Sequence, residues 1–385
     1  MTKNAIIVDA DGHVLEPEDT WTRYLEPKYR GRAIRIARDE KGIEQLIIDD
    51  KCHKAIAGML GAIGGIGMQD DVEALTTPGM RSYRDGLVEG GYDPAARVKV
   101  LDDERIDKVL LYPTLGIFWE GHVTDVELAD AYTRAYNRYI VDFCSHDRSR
   151  LIPIAHINLG DPDRAVKEVK RARKDGCVGV YLSPETHSRG NRSIEDPVFR
   201  EFFEVVSDLE MPIGFHVTVR EPHQMMLWPY SQSARVQTNL LMGFSFLAIE
   251  VMAVFTQIIS SGMLDTYPRL KLAVLETGSN WLASWLDRLD HKYEAIIQGV
   301  PNRLKMRPSE YFRRQCLISA DPDETMTGDL VRKFGDDKVI WASDYPHIDG
   351  TMNVLNVLRE QLKDLPEPSQ NKILGENAVK FYALA

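Results

Sequence analysis

Short runs that are apolar throughout recur along this chain, separated by longer stretches with apolar positions at helical spacing. The first run covers 5–11 and ends in Asp9-Ala10-Asp11. The others are Lys108–Tyr112, Leu151–Asn158, Cys177–Leu182, Pro212–Val217, Leu270–Leu275, Cys316–Ala320 and Val339–Ser343. Between and after them, stretches near 95–104, 126–147, 162–175, 195–209, 279–297, 323–334 and 351–363 read as helices. A strand with one wet face alternates apolar and polar residues. These runs do not alternate, which predicts parallel strands covered on both faces. Eight such units predict an α/β fold, a (β/α)8 TIM barrel, better than an open sheet. One domain over 1–385 accommodates the whole pattern.

The alternation breaks only near the start, where about 30–90 reads as an inserted hairpin and lid after the first strand. Gly42–Ile48 and Lys51–Ala55 flank Asp49-Asp50, which predicts a β-hairpin. Pairing about that turn sets Leu46 opposite His53 and Glu44 opposite Ala55, so Glu44 and His53 lie diagonally on one face. An exposed hairpin with two unrelated polar residues gives the same text. The glycine-rich segment Gly58–Met68 lacks the Lys-Ser/Thr of a phosphate loop and reads instead as a mobile apolar cover over a pocket.

Composition narrows the function classes. The 385 residues carry 47 Lys and Arg against 58 Asp and Glu, a formal net charge of −11. That balance argues against nucleic acid or an anionic membrane as the main partner. Cys52, Cys144, Cys177 and Cys316 form no C-x-x-C pair, which disfavours a disulfide framework or thiolate zinc site and fits a reduced, cytoplasmic setting. Met1-Thr2-Lys3-Asn4 leads into the first strand without a signal-peptide pattern. No apolar run is expected to reach the ~20 residues that span a bilayer. Leu240–Ile259 is nevertheless more apolar than one barrel helix needs, and predicts a subunit interface in an oligomer.

Candidate chemistry sits at the strand ends. On one strand, Asp9, Asp11 and His13 point the same way if the strand runs on to His13. His216 ends the fifth strand, Glu276 the sixth and Asp344 the eighth, where barrel active sites lie. Carboxylates and imidazoles converging at one mouth suit a divalent metal such as zinc, manganese or iron. His347 stays near Asp344 and is a candidate to orient a ligand or contact substrate; His156, on the third strand, is a candidate supporting or catalytic residue. His122 and His223 lie in loops after strands two and five, and Trp119, Trp228 and Tyr230 are candidate pocket walls. His146, His187 and His291 read as surface residues.

Several motifs together resemble the amidohydrolase superfamily, within it the group that includes aminocarboxymuconate-semialdehyde decarboxylase. They are Asp9–Pro17, Leu111–Gly116, Phe215-His216, Glu276–Trp281 with Leu286–Asp290, and Ala342–His347. The resemblance implies a barrel with metal ligands on the first strand, at His216 and at Asp344. Two positions depart from the family: Asp11 and Glu276 stand where many members have histidine. Each replaces a neutral nitrogen ligand by an anionic oxygen, which shifts preference towards manganese or iron. Adding Glu44 and His53 gives seven potential ligands, with Asp11, His13, His216, Glu276 and Asp344, too many for one open ion and suited to two sharing a bridge. That set resembles the amidohydrolase-related dinuclear oxygenases of the 2-aminoisobutyrate monooxygenase type, which pair two related subunits. The expectation is therefore an Fe/Fe or Mn/Fe monooxygenase that uses dioxygen to hydroxylate an aliphatic C–H bond of a small organic or amino acid. The alternatives are a mononuclear decarboxylase or hydrolase, with zinc or manganese, Asp344 as ligand or proton shuttle and a histidine as acid–base, or a catalytically silent partner subunit.

Overall fold

Eight parallel strands frame the molecule, in the order β1 (Val8–His13), β5 (Lys108–Tyr112), β6 (Leu151–His156), β7 (Gly179–Leu182), β8 (Ile213–Phe215), β9 (Leu272–Val274), β10 (Cys316–Ala320) and β11 (Val339–Trp341). A separate antiparallel sheet holds β2 (Arg35–Arg38), β3 (Glu44–Ile48) and β4 (Lys51–Cys52). The computed structural model describes residues 5–71, 73–74, 77–221, 224, 236–301 and 304–385. His223, Trp228 and Tyr230, candidates on sequence, lie outside the described residues.

Each strand is buried on both faces, as non-alternating runs require. Helices cover the outside and are started by local chemistry. Asp93, Asp125 and Asp161 accept from backbone N–H groups of the first turn, and Pro94 and Pro162 fill the first helical position, where a missing N–H costs nothing. The barrel closes between β11 and β1 through side chain and loop. Ser343 donates N–H (3.0 Å) and Oγ–H (2.5 Å) to the Asp9 carboxylate, Asp344 N–H reaches Asp11 O (3.2 Å), and His13 N–H reaches Tyr345 O (2.8 Å). The expected (β/α)8 barrel is the observed fold.

One detail of β1 differs from the expectation that Asp9, Asp11 and His13 share a face. The register slips between Asp9, opposite Val109, and Gly12, opposite Leu111, so three steps on β1 face two on β5. This bulge resets the alternation. Asp9 turns towards Ser343, while a Cβ on Gly12 would fall 2.6 Å from Arg97 Nη2 and 3.1 Å from Asp9 Oδ2. Asp9 therefore closes the barrel, and Asp11 with His13 is left for the mouth.

The inserted segment contains the expected hairpin, with Ile48 opposite Lys51 and His53 N–H bonded to Leu46 O (2.8 Å). Pairing stops at Cys52, where Lys54–Ile56 turns into a 3-10 helix, so Glu44 does not face Ala55. Met59, Ala62 and Ile63 of the glycine-rich segment wall a cavity, as expected of a cover. Gly64 is needed for close packing, since a Cβ there would sit 2.0 Å from Gly86 O. The long helix Val236–Ser261 corrects the expectation about apolar length, because Leu241–Ser261 is long and apolar enough to cross a bilayer, with mean hydropathy 1.8. Its second half is a core helix of the barrel, burying Val251, Val254, Phe255, Ile258 and Ile259, whereas Leu241 and Phe244 in the first half are exposed.

Candidate metal centre

The C-terminal ends of four strands deliver five of the predicted ligands to one place. β1 supplies Asp11 and His13, and His216, Glu276 and Asp344 follow β8, β9 and β11. Asp11, His13 and His216 form one group whose ligand atoms lie within 4.8 Å of one another, and His13, Asp344 and His347 form another. His13 Nε2 is 3.1 Å from His216 Nε2, 3.6 Å from Asp11 Oδ1 and 3.3 Å from Asp344 Oδ1. His216 Nε2 is 2.7 Å from Glu276 Oε2 and 3.7 Å from Asp11 Oδ2.

The outer nitrogens explain the direction of the inner ones. His13 Nδ1 donates to Pro113 O (2.9 Å) and His216 Nδ1 to Val217 O (2.8 Å), which turns both Nε2 atoms inward. Two imidazole nitrogens this close need a positive charge between them. Asp11 Oδ1 and Asp344 Oδ2 are buried without a hydrogen-bond partner, and Glu276 Oε2 lies against His216 Nε2. A divalent cation satisfies all of these atoms at once, and the donor set fits one.

The electrostatics point the same way. Burial, then the neighbouring carboxylates, holds Asp11 well above the usual carboxylate range even against His216. Burial likewise raises Glu276 and Asp344. Burial pushes Asp321, beyond the end of β10, up to about 7, helped by Glu324 and Glu276. The two histidines diverge: burial holds His13 well below the imidazole range, while for His216 Glu276 and Asp11 outweigh burial and bring it to about 9. Glu276 and Asp344 also hold positive φ angles, 49° and 53°, in the left-handed region that non-glycine residues rarely occupy. Such strain costs about 1–3 kcal/mol per residue and collects at functional sites.

His347 bridges this centre to the loop after β5. Its Nδ1 lies 2.8 Å from Asp344 Oδ1 and its Nε2 2.8 Å from Thr114 Oγ1, and burial lowers it to about 4. Thr114 was not singled out from sequence, although it lies within the Leu111–Gly116 motif. Its loop is fixed by Glu16, a buried carboxylate that accepts backbone N–H groups from Thr114, Leu115 and Gly116. Asp349 was also missed. It groups with Glu276, Asp344 and His347, only two residues past His347.

Other candidates are placed elsewhere. His156 is buried and pairs with Glu120 (2.7 Å), which also accepts from Asn158. The Tyr181 ring packs against both His156 (4.6 Å) and His216 (6.0 Å). Glu44 accepts from Tyr83 N–H (2.6 Å) and Arg38 (3.1 Å), so it ties the lid to itself. His53 gathers with His122 and Glu221. The structure does not bring Glu44 or His53 to the barrel group, because the hairpin pairing that would align them ends too early. Trp119 is buried against His156.

A cavity of about 270 Å³ adjoins the centre. Gln69, Glu276, His347, Asp349 and Thr114 form its polar part, and Ile56, Met59, Phe118, Val217, Phe244 and Leu247 contribute apolar surface. Among the described residues its wall has no lysine or arginine.

A family model described as Amidohydrolase matches residues 93–384 of this chain. A curated relative, the 2-amino-3-carboxymuconate-6-semialdehyde decarboxylase of Dictyostelium discoideum, is 22% identical over 296 residues, 76% of this chain and 77% of its own. Among solved structures, an amidohydrolase from Mycobacterium avium subsp. paratuberculosis K-10 superposes with a TM-score of 0.80 at 22% identity, covering 99% of this chain and 98% of its own. The 5-carboxyvanillate decarboxylase of Novosphingobium aromaticivorans, solved with bound manganese and 3-methoxy-4-hydroxy-5-nitrobenzoic acid, gives a TM-score of 0.70 at 20% identity over 99% of this chain and 98% of its own. These structural likenesses show the fold. Nothing in the comparisons supports the expected oxygenase.

Proposed function

The chain belongs to the amidohydrolase family, and on that premise we propose that it is a metal-dependent decarboxylase of a small aromatic or unsaturated carboxylic acid. The observation that carries the reading is the centre itself: two inward Nε2 atoms 3.1 Å apart beside buried, unpartnered carboxylate oxygens, opening on an apolar cavity. Asp11, His13 and His216 would hold one ion, with Asp344 beside them. Mixed oxygen and nitrogen donors suit manganese, the ion named in the Novosphingobium structure. When bound, the ion supplies Lewis-acid anchoring of the substrate's oxygen atoms.

The rest of the chemistry belongs to side chains. The bond from carbon to carboxylate breaks, carbon dioxide leaves, and the electron pair stays on the carbon until a proton arrives. Burial raises the Asp344 carboxyl above the usual carboxylate range, so Asp344 would be the group that passes a proton to that carbon, and His347, 2.8 Å away, is placed to restore it. Thr114 holds the His347 ring in position. The cavity suits an apolar body with a single anionic group, because among the described residues its wall offers no lysine or arginine.

The test is carbon dioxide release from a panel of hydroxybenzoates by the manganese-loaded protein in anaerobic buffer. Turnover without oxygen supports the decarboxylase. Oxygen uptake coupled to hydroxylation, with no carbon dioxide released, restores the oxygenase.

A further inference from the structure

Outside the barrel centre, His53, His122 and Glu221 form a buried group with no residue in common with it. They come from three parts of the chain: the end of the inserted hairpin, the loop after β5 and the segment after β8. Their ligand atoms lie within 4.8 Å of one another. The His53 and His122 rings stand 4.6 Å apart, and His122 Nε2 is 3.1 Å from Glu221 Oε1. Glu221 Oε1 also accepts from Lys54 N–H (2.7 Å).

His53 supplies the observation that points to a ligand. Its Nε2 lies 3.2 Å from Val219 O, an acceptor only, so Nε2 carries the hydrogen. Nδ1 therefore holds a lone pair, and it is buried without a hydrogen-bond partner on a side chain with 0% exposure. A lone pair sealed from water with no donor is costly unless something electron-poor meets it.

We propose that His53, His122 and Glu221 bind a second divalent ion, zinc by ligand type, which pins the inserted lid to the barrel rim. Two neutral imidazoles and one carboxylate are a recurrent zinc donor set. Such an ion would join the hairpin to both loops, and Ile56, Phe118 and Val219 near the three ligands wall the cavity. The lid's position, and so the cavity's shape, would then depend on the ion. The alternative is a plain His122–Glu221 pair with His53 packed on it.

Cobalt(II) titration of the metal-stripped full-length protein separates the two readings. In His216→Gln, which disables the barrel centre, one cobalt per chain should still bind, with a visible absorption spectrum. Adding Glu221→Gln keeps an acceptor for Lys54 N–H and should weaken that binding by more than about 100-fold, since even outer partners of a ligand are worth 10–100-fold. Zinc should raise the melting temperature of His216→Gln and leave the double variant unmoved, a readout independent of catalysis. No cobalt bound by His216→Gln, or equal affinity with and without Glu221→Gln in folded protein, overturns the proposal.

Discussion

His13 and His216 approach each other nitrogen to nitrogen at 3.1 Å, each anchored behind by a backbone carbonyl. The arrangement is built to hold a cation, because both rings are turned from outside. Replacing either by alanine should remove the barrel metal and lower turnover by well over the about 10–100-fold that an outer partner costs. Elemental analysis of dialysed protein checks this; full metal content in both variants would remove these residues from the centre.

Gly12 occupies the bulge that separates Asp9 from Asp11 and His13. A Cβ there meets Arg97 Nη2 at 2.6 Å and Val109 Cγ2 at 2.7 Å. Arg97 cannot simply move, because its Nη1 donates to His13 O (2.9 Å) and its guanidinium lies over the Tyr345 ring. Gly12→Ala should therefore cost about 1–3 kcal/mol, the usual range for overpacking, and weaken metal retention together with stability. Urea midpoints and metal content measured side by side would show both changes, and a neutral result in both would refute the packing argument.

The barrel was legible because its signal is repeated: eight unalternating runs leave few other folds, and each strand end then exposed its own polar residue. Asp11, His13, His216, Glu276 and Asp344 meet because strand ends in a barrel must converge. Glu44 and His53 failed to join them because their placement hung on hairpin register, and two paired residues in β4 do not extend it far enough. The Asp9 alternation was misread for a similar reason, since a bulge is invisible in a period of two. Thr114 and Asp349 act through loops, where spacing carries no geometry.

Glu44 tests that distinction directly. It accepts from the backbone of Tyr83, a residue 1% exposed, and pairs with Arg38. Glu44→Ala should lower stability by about 1–3 kcal/mol through the stranded N–H and leave the ion count at the barrel centre unchanged. A drop in that count, measured on folded protein, would return Glu44 to the list of ligands.

Glu26 provides a pH handle far from the metal. Burial pushes its carboxyl up, but Arg134 (2.8 Å) and Arg138 (2.7 Å) outweigh that and hold it at about 2, below its ordinary 4.5. A carboxylate with a depressed native pKa binds fewer protons folded than unfolded, so its stabilisation is complete above 4.5 and fades as pH falls towards 2. Glu26→Gln lacks that titration. The difference in urea midpoint between the two proteins should be widest near neutral pH and shrink on stepwise acidification to about 3. A difference that held constant or widened on acidification would mean that the two arginines do not stabilise the charged form.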